Sequence, residues 1–309
     1  MASILDSVNQ RTQMVGQNRL ELLMFRLGAR QRFGINVFKV KEVLQCPPLT
    51  ALPRRNGSIR GVAHIRGQTI SVIDLRQATG GRPVEDTSNC FVIITEYNRS
   101  VQGFLVQAVE RIVNVNWEDI QPPPRGSGRA SYLTAVTEVE GNMVEILDVE
   151  KILDEISPIS AEASADSFCG FEGVSKDRLI LVADDSMVAR SQVKKALAPL
   201  GIPIELVKDG KEGLAYLNEL AAGCGESINE KVCLLISDIE MPEMDGYTLT
   251  AEIRANPKLK ELKVILHTSL SGVFNEAMVK KVGADKFIAK FNPDELAGAV
   301  RECLMMAAE

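Results

Sequence analysis

Between Leu179 and Met306, short apolar runs of strand length alternate with longer stretches of helical spacing, and few folds accept such a sequence. Strands are predicted over Leu179–Ala183, Ile204–Val207, Val232–Ser237, Val264–Thr268 and Lys286–Ala289. Helices are predicted over Val188–Leu200, Gly210–Ala222, Tyr247–Ala255, around Asn275–Val282, and over Pro293–Met306. Strands joined through helices make a parallel sheet covered on both faces, an α/β doubly wound five-stranded architecture. In that architecture the functional crevice lies beyond the carboxyl ends of the strands.

The first half follows a different rule. Short Val-, Ile-, Phe- and Leu-rich runs recur at Leu20–Leu27, Gln31–Asn36, Gly61–Ile65, Thr69–Leu75, Phe91–Glu96, Val101–Val106 and Met143–Leu147, with Gly or Pro between them. This predicts an all-β unit of paired small barrels. Between Asp154 and Asp177 neither period holds. The expected layout is therefore an N-terminal amphipathic helix over residues 1–19, a β domain over 20–153, a linker over 154–176 and an α/β domain over 177–309.

Several function classes are disfavoured at this stage. A net charge of -6 opposes phosphate-backbone binding, so no nucleic-acid partner is expected. No apolar run reaches the ~18 residues of a membrane helix, and the N-terminus lacks the apolar core of a secretory signal. A cytoplasmic location without membrane insertion follows as the expectation. The six cysteines form no CxxC pair, and His64 is the only histidine before residue 154, so neither a zinc site nor a nucleophile–histidine set is expected there. The first half is expected to bind rather than to react.

The second half places chemistry at its strand ends. Asp184 and Asp185 follow the first strand, Asp238 the third; Thr268 ends the fourth and Lys290 follows the fifth. Three carboxylates on one rim repel, and a divalent cation resolves that repulsion; oxygen ligands and an open rim suit Mg2+. Asp185 and Asp238 are the expected direct ligands, Asp184 a ligand through water, and the Glu240 backbone carbonyl a further one. Asp238 is the candidate phosphoryl acceptor. Lys290 would neutralise a phosphoryl oxygen, Thr268 would donate its hydroxyl, and backbone N–H groups of Glu240 and Ser269 would complete the cage.

The segments Val182-Ala183-Asp184-Asp185-Ser186, Ser237-Asp238-Ile239-Glu240-Met241-Pro242-Glu243-Met244-Asp245-Gly246, Thr268-Ser269 and Ala289-Lys290 resemble the receiver domain of bacterial response regulators. That resemblance implies phosphorylation of Asp238, a switch hydroxyl on Thr268, and an aromatic reporter at Phe287. Two departures stand out. Phe291 follows Lys290 where the family usually has proline, with Asn292 and Pro293 reading as a helix N-cap and first helical residue. The stretch Ala221–Glu230 is also longer than the family's usual connection.

In the first half, Ser58 to Arg76, Phe33 to Val43 and Ile146-Leu147-Asp148 resemble the CheW family of chemotaxis adaptors. The resemblance implies a pair of five-stranded barrels that join chemoreceptor cytoplasmic tips to the histidine kinase CheA, with Val40, Glu42 and Arg66 at the receptor or kinase interface. His64-Ile65-Arg66-Gly67 departs from the usual Asn-Leu-Arg-Gly but keeps the arginine and glycine. The fusion of both halves, with the opening run Ala2 to Val8, resembles coupling proteins of the CheV type, recruited to receptor arrays. Such a chain is a phosphoacceptor scaffold and not an enzyme. Its receiver would take phosphoryl groups from a CheA phosphohistidine, either to regulate coupling or mainly as a phosphate sink.

Overall fold

A computed structural model describes residues 19–28, 30–53, 57–97, 100–123, 132–158, 163–164, 177–225, 227–268, 281–290 and 292–305. Two compact units divide the chain between Ile159 and Ser160.

The first unit contains ten strands: β1 (Arg19–Arg26), β2 (Arg32–Asn36), β3 (Val40–Gln45), β4 (Ile59–Ile65), β5 (Gln68–Asp74), β6 (Phe91–Tyr97), β7 (Ser100–Val106), β8 (Ala108–Asn116), β9 (Leu133–Val139) and β10 (Asn142–Leu147). Two helices, α1 (Leu75–Ala78) and α2 (Val149–Ile156), follow β5 and β10. The strands form two five-stranded sheets, β8-β1-β2-β10-β9 and β3-β6-β7-β5-β4. Each sheet closes on itself. Thr50, just past the edge strand β3, exchanges two backbone hydrogen bonds of 2.9 Å with Val62 on β4, the opposite edge. Gln121, past edge strand β8, does the same with Val136 on β9 at 2.8 and 2.9 Å. The expected small barrels are thus present, and closure removes the exposed edges that open sheets carry. Gly61 belongs to the first seam, where an added Cβ would lie 2.6 Å from the Thr50 carbonyl oxygen.

The two barrels repeat one plan. In each, an antiparallel hairpin (β1–β2 or β6–β7) pairs in parallel with the second strand of another hairpin (β10 or β5). An aspartate then caps the following helix: Asp74 accepts from Gln77 N at 3.1 Å, and Asp148 from Lys151 N at 3.0 Å. Ile70, Val72, Val92, Ile94 and Leu105 pack one interior; Leu20, Leu22, Val115 and Ile146 pack the other.

Two expectations change here. Arg19 opens β1 instead of ending a helix, while the rest of the expected N-terminal helix lies outside the described residues. Helix α2 buries Val149, Ile152 and Leu153 and continues to Ile156, so the expected linker over 154–176 begins inside a helix.

The second unit holds β11 (Leu179–Ala183), β12 (Ile204–Val207), β13 (Val232–Ser237), β14 (Val264–Thr268) and β15 (Lys286–Ala289), with helices α3 (Met187–Leu197), α4 (Gly210–Ala222), α5 (Gly246–Ala255) and α6 (Pro293–Met305). All neighbours pair in parallel, in the order β12-β11-β13-β14-β15. Alternate strand residues feed two cores. Ile180, Val182 and Ile236 meet Val193 and Leu197 of α3 and Leu296 and Val300 of α6; Leu181, Leu235 and Leu266 meet Leu217 of α4 and Leu249 and Ile253 of α5. The helix expected around Asn275–Val282 falls almost wholly outside the described residues. The long Ala221–Glu230 connection is folded down at the amino ends of the strands. Its Ile228 is buried and donates from its backbone to Lys258 O at 3.0 Å, and Lys258 Nζ caps α4 through Ala221 O at 3.0 Å.

Candidate functional site

In the order β12-β11-β13, the chain direction of connection reverses between β11 and β13, and a doubly wound sheet opens its crevice at such a point. Asp184 and Asp185 leave β11 there and Asp238 leaves β13. Their carboxylate oxygens lie within 4.8 Å of one another, the one such acidic trio among the described residues. Lys290, which follows β15, reaches under the trio: its Nζ lies 2.7 Å from Asp184 Oδ2 and 2.8 Å from Asp238 Oδ2.

Local structure fixes each carboxylate. Asp238 N donates to Ala183 O at 2.8 Å, and Asp238 Oδ1 accepts from Ile239 N at 2.7 Å. Asp184 Oδ1 accepts from Ser186 N at 2.9 Å, while the Ser186 hydroxyl caps α3 by accepting from Ala189 N at 3.2 Å. Lys290 N donates to Thr268 O at 2.7 Å, which ties the lysine to the end of β14. Asn292 Oδ1 accepts from Asp294 N and Glu295 N at 3.0 and 3.2 Å, the N-cap read from the sequence.

Burial shapes the electrostatics. Removal from water pushes the Asp184 carboxyl up to about 7; Lys290 opposes this, and the charges of Asp238 and Asp185 add to it. His267 on β14 is also enclosed, and burial, helped by the Lys290 charge, pushes its imidazole down to about 3, so it is neutral in the fold. An oxygen-only donor set with one partly exposed member, Asp185, fits a hard divalent cation. The carboxylates Asp184, Asp185 and Asp238 are the residues that would hold it.

Three participants were not singled out from the sequence. Gly246 crosses the Asp238 backbone so closely that an added Cβ would lie 2.1 Å from the Asp238 carbonyl oxygen. Asp245 caps α5 through Tyr247 N and Thr248 N, both at 2.9 Å, closing the loop that leaves Asp238. Arg190, in α3, donates from Nη1 to the Asp184 carbonyl. The acidic loop motif marked the first two, whereas nothing in the sequence marked Arg190.

The remaining expected residues divide. Thr268 is buried at the end of β14 beside the rim, and Phe287 on β15 is half-buried against the Leu235 and Leu266 core. Glu240 is half-buried two residues after Asp238. Ser269 and the Lys290–Phe291 peptide lie outside the described residues.

In the first unit, the β4–β5 hairpin turns through Arg66 and Gly67 with φ of 48° and 81°, the left-handed pair of a two-residue turn. The Arg66 side chain is 79% exposed. It nevertheless grips Glu42 on β3 with Nη2 at 2.7 Å and Nε at 2.8 and 2.9 Å, and the arginine holds that carboxyl below its usual range. Val40 stands half-buried two residues before Glu42. These three residues therefore share one end of the barrel seam.

Barrels of this kind in one chain with an acid-and-lysine rim on a doubly wound sheet define an adaptor joined to a phosphoryl-receiver module. Family models agree: residues 21–157 match the CheW-like domain, and residues 180–301 match the response regulator receiver domain. Over 302 residues the chain is 30% identical to chemotaxis protein CheV3 of Helicobacter pylori, covering 93% of this chain and 95% of that protein. CheV1 of the same organism is 27% identical, with 99% and 100% covered, and CheV2 is 26% identical, with 96% and 98% covered. The chain belongs to the CheV family of chemotaxis proteins. Over 175 residues, 55% of this chain and 21% of that protein, it is also 29% identical to the sensor histidine kinase CheAY of that bacterium. No described helix is long and apolar enough to cross a membrane.

Proposed function

We propose that this chain couples chemoreceptor tips to the kinase CheA through its CheW-like unit, and that Mg2+-dependent phosphorylation of Asp238 regulates the coupling. One observation carries the reading: Asp238 is held at the rim between Ile239 N and Lys290 Nζ, within reach of two further carboxylates, in a chain whose other unit is a CheW-like domain.

The chemistry requires little covalent work from the protein. An Asp238 carboxylate oxygen attacks the phosphorus of a phosphohistidine on CheA; the P–O bond forms as the P–N bond breaks, and the histidine leaves with its electron pair. When bound, Mg2+ supplies charge neutralisation for carboxylates and phosphoryl oxygens together. In this reading Lys290 moves its ammonium from Asp238 to a phosphoryl oxygen, and Thr268 donates its hydroxyl to another. Movement of Thr268 would then be felt along β14 and β15, where Phe287 packs. Val40, Glu42 and Arg66 are the receptor or kinase contacts in this reading, with location at receptor arrays.

Incubating the protein with phosphorylated CheA and Mg2+, and mapping the acid-labile phosphate by mass spectrometry, tests the transfer. Labelling of Asp238 that Asp238→Asn abolishes supports it, and undiminished labelling of that variant refutes it.

A further inference from the structure

We infer that Arg190 is a positioning residue for the acidic pair Asp184–Asp185, holding it in the arrangement that binds the divalent cation and sets up Asp238. The inference rests on the functional reading above and adds to it a residue outside the expected set.

Arg190 lies near the start of α3, four residues after the N-cap Ser186, and its backbone N donates to Ser186 O at 3.0 Å. From there the guanidinium folds back, and Nη1 donates to the carbonyl oxygen of Asp184. With that contact Asp184 is held at four points. Its N donates to Val207 O at 3.2 Å, Oδ1 accepts from Ser186 N at 2.9 Å, Oδ2 faces Lys290 at 2.7 Å, and its carbonyl accepts from Arg190.

The last of these contacts controls the next residue. The Asp184 carbonyl and the Asp185 N–H belong to one planar peptide unit, so fixing the oxygen fixes the direction in which the chain enters Asp185. Asp185 is the partly exposed member of the trio, and the peptide that Arg190 holds sets the point from which its side chain starts. Arginine suits this role because the group is always charged, its donors are fixed in a plane, and it loses less freedom per hydrogen bond than lysine. Partners that orient metal ligands from behind commonly change metal affinity by 10–100-fold when removed.

The test uses the full chain with Arg190→Ala and Arg190→Lys. Mg2+ affinity is read by titration calorimetry, metal-free stability by thermal unfolding, and phosphorylation by its initial rate with acetyl phosphate, a donor that needs no kinase docking. Arg190→Ala should raise the Mg2+ Kd about tenfold and slow phosphorylation most at low Mg2+, with metal-free stability nearly unchanged. Arg190→Lys, which keeps a cation and a donor, should recover part of the affinity. Unchanged Mg2+ affinity in Arg190→Ala, or a loss that lysine does not relieve at all, overturns the inference. If the wild type neither binds Mg2+ nor takes up phosphoryl groups, the functional reading itself fails; if it does both and Arg190→Ala matches it, only the role of Arg190 falls.

Discussion

Replacing Gly246 by alanine tests how Asp238 is held. At the first position of α5 the substitution taken alone would favour the helix, since glycine costs up to ~1 kcal/mol relative to alanine within one. The surroundings reverse the sign. An ideal Cβ would lie 2.1 Å from the Asp238 carbonyl oxygen, 3.0 Å from its carbonyl carbon and 3.0 Å from Ile239 Cα. All three are backbone atoms, so no side chain can swing away, and relief requires the chain to move by about 1 Å to regain normal contact. Forcing such a shift typically costs about 1–3 kcal/mol, which outweighs the helix gain and lowers the receiver's Tm by roughly 5 °C. The shift falls on the acceptor residue itself, because Gly246 N also donates to Ile239 O at 2.9 Å. Differential scanning calorimetry paired with the acetyl phosphate labelling rate measures both effects. A variant with wild-type Tm and wild-type labelling would show that the loop does not cross Asp238 as described.

Other outcomes follow from the same geometry. Lys290→Ala leaves Asp184 and Asp238 facing one another without their shared cation, so Asp238 labelling should slow by about 10²-fold, measured with phosphorylated CheA, while Mg2+ stabilises the variant more than the wild type. In pH titrations of metal-free protein, neutral burial of His267 contributes stability that is present above its ordinary 6.5 and lost as pH falls toward about 3. Asp184, raised from 3.8 to about 7, acts oppositely: its contribution is present below 3.8 and lost as pH rises through about 7. The receiver of Asp184→Asn should therefore lose Tm on acidification between pH 6.5 and 4 more steeply than the wild type, and parallel profiles would contradict this. Gly61→Val drives a side chain into the Thr50 carbonyl at the barrel seam, so it should lower the unfolding temperature of the CheW-like unit and leave Asp238 labelling unchanged.

The α/β half was legible because its signals are strong and local. Its three central strands, β11, β13 and β14, are buried on nearly every residue, so they read as unbroken apolar runs bounded by acids and turns. The β half was most legible where a strand buries most of its length, as in β1, β6 and β7. Strands β3, β8 and β9 were not predicted. β3 alternates half-buried with exposed residues, and β8 carries Glu110, Arg111, Asn114 and Asn116, so neither shows an apolar face from sequence. Partners distant in sequence decide such strands. Likewise, Asp238 and Lys290 were readable as strand-end residues, whereas the contact of Arg190 with Asp184 depends on a side-chain path that spacing does not reveal. The Arg66–Glu42 pair was hidden for a similar reason, since its members meet only when the sheet closes.

The central claim is that phosphorylation of Asp238 changes coupling between receptor and kinase. Reconstituting chemoreceptor tips, CheA and this protein, and following CheA autophosphorylation alongside phosphoryl transfer with the wild type and Asp238→Ala, tests it directly. Both proteins should support receptor control of the kinase, and phosphoryl loading should alter that control only for the wild type. Receptor control that is the same for both proteins throughout loading, with phosphate merely drained by the wild type, would contradict regulation and leave the receiver as a sink.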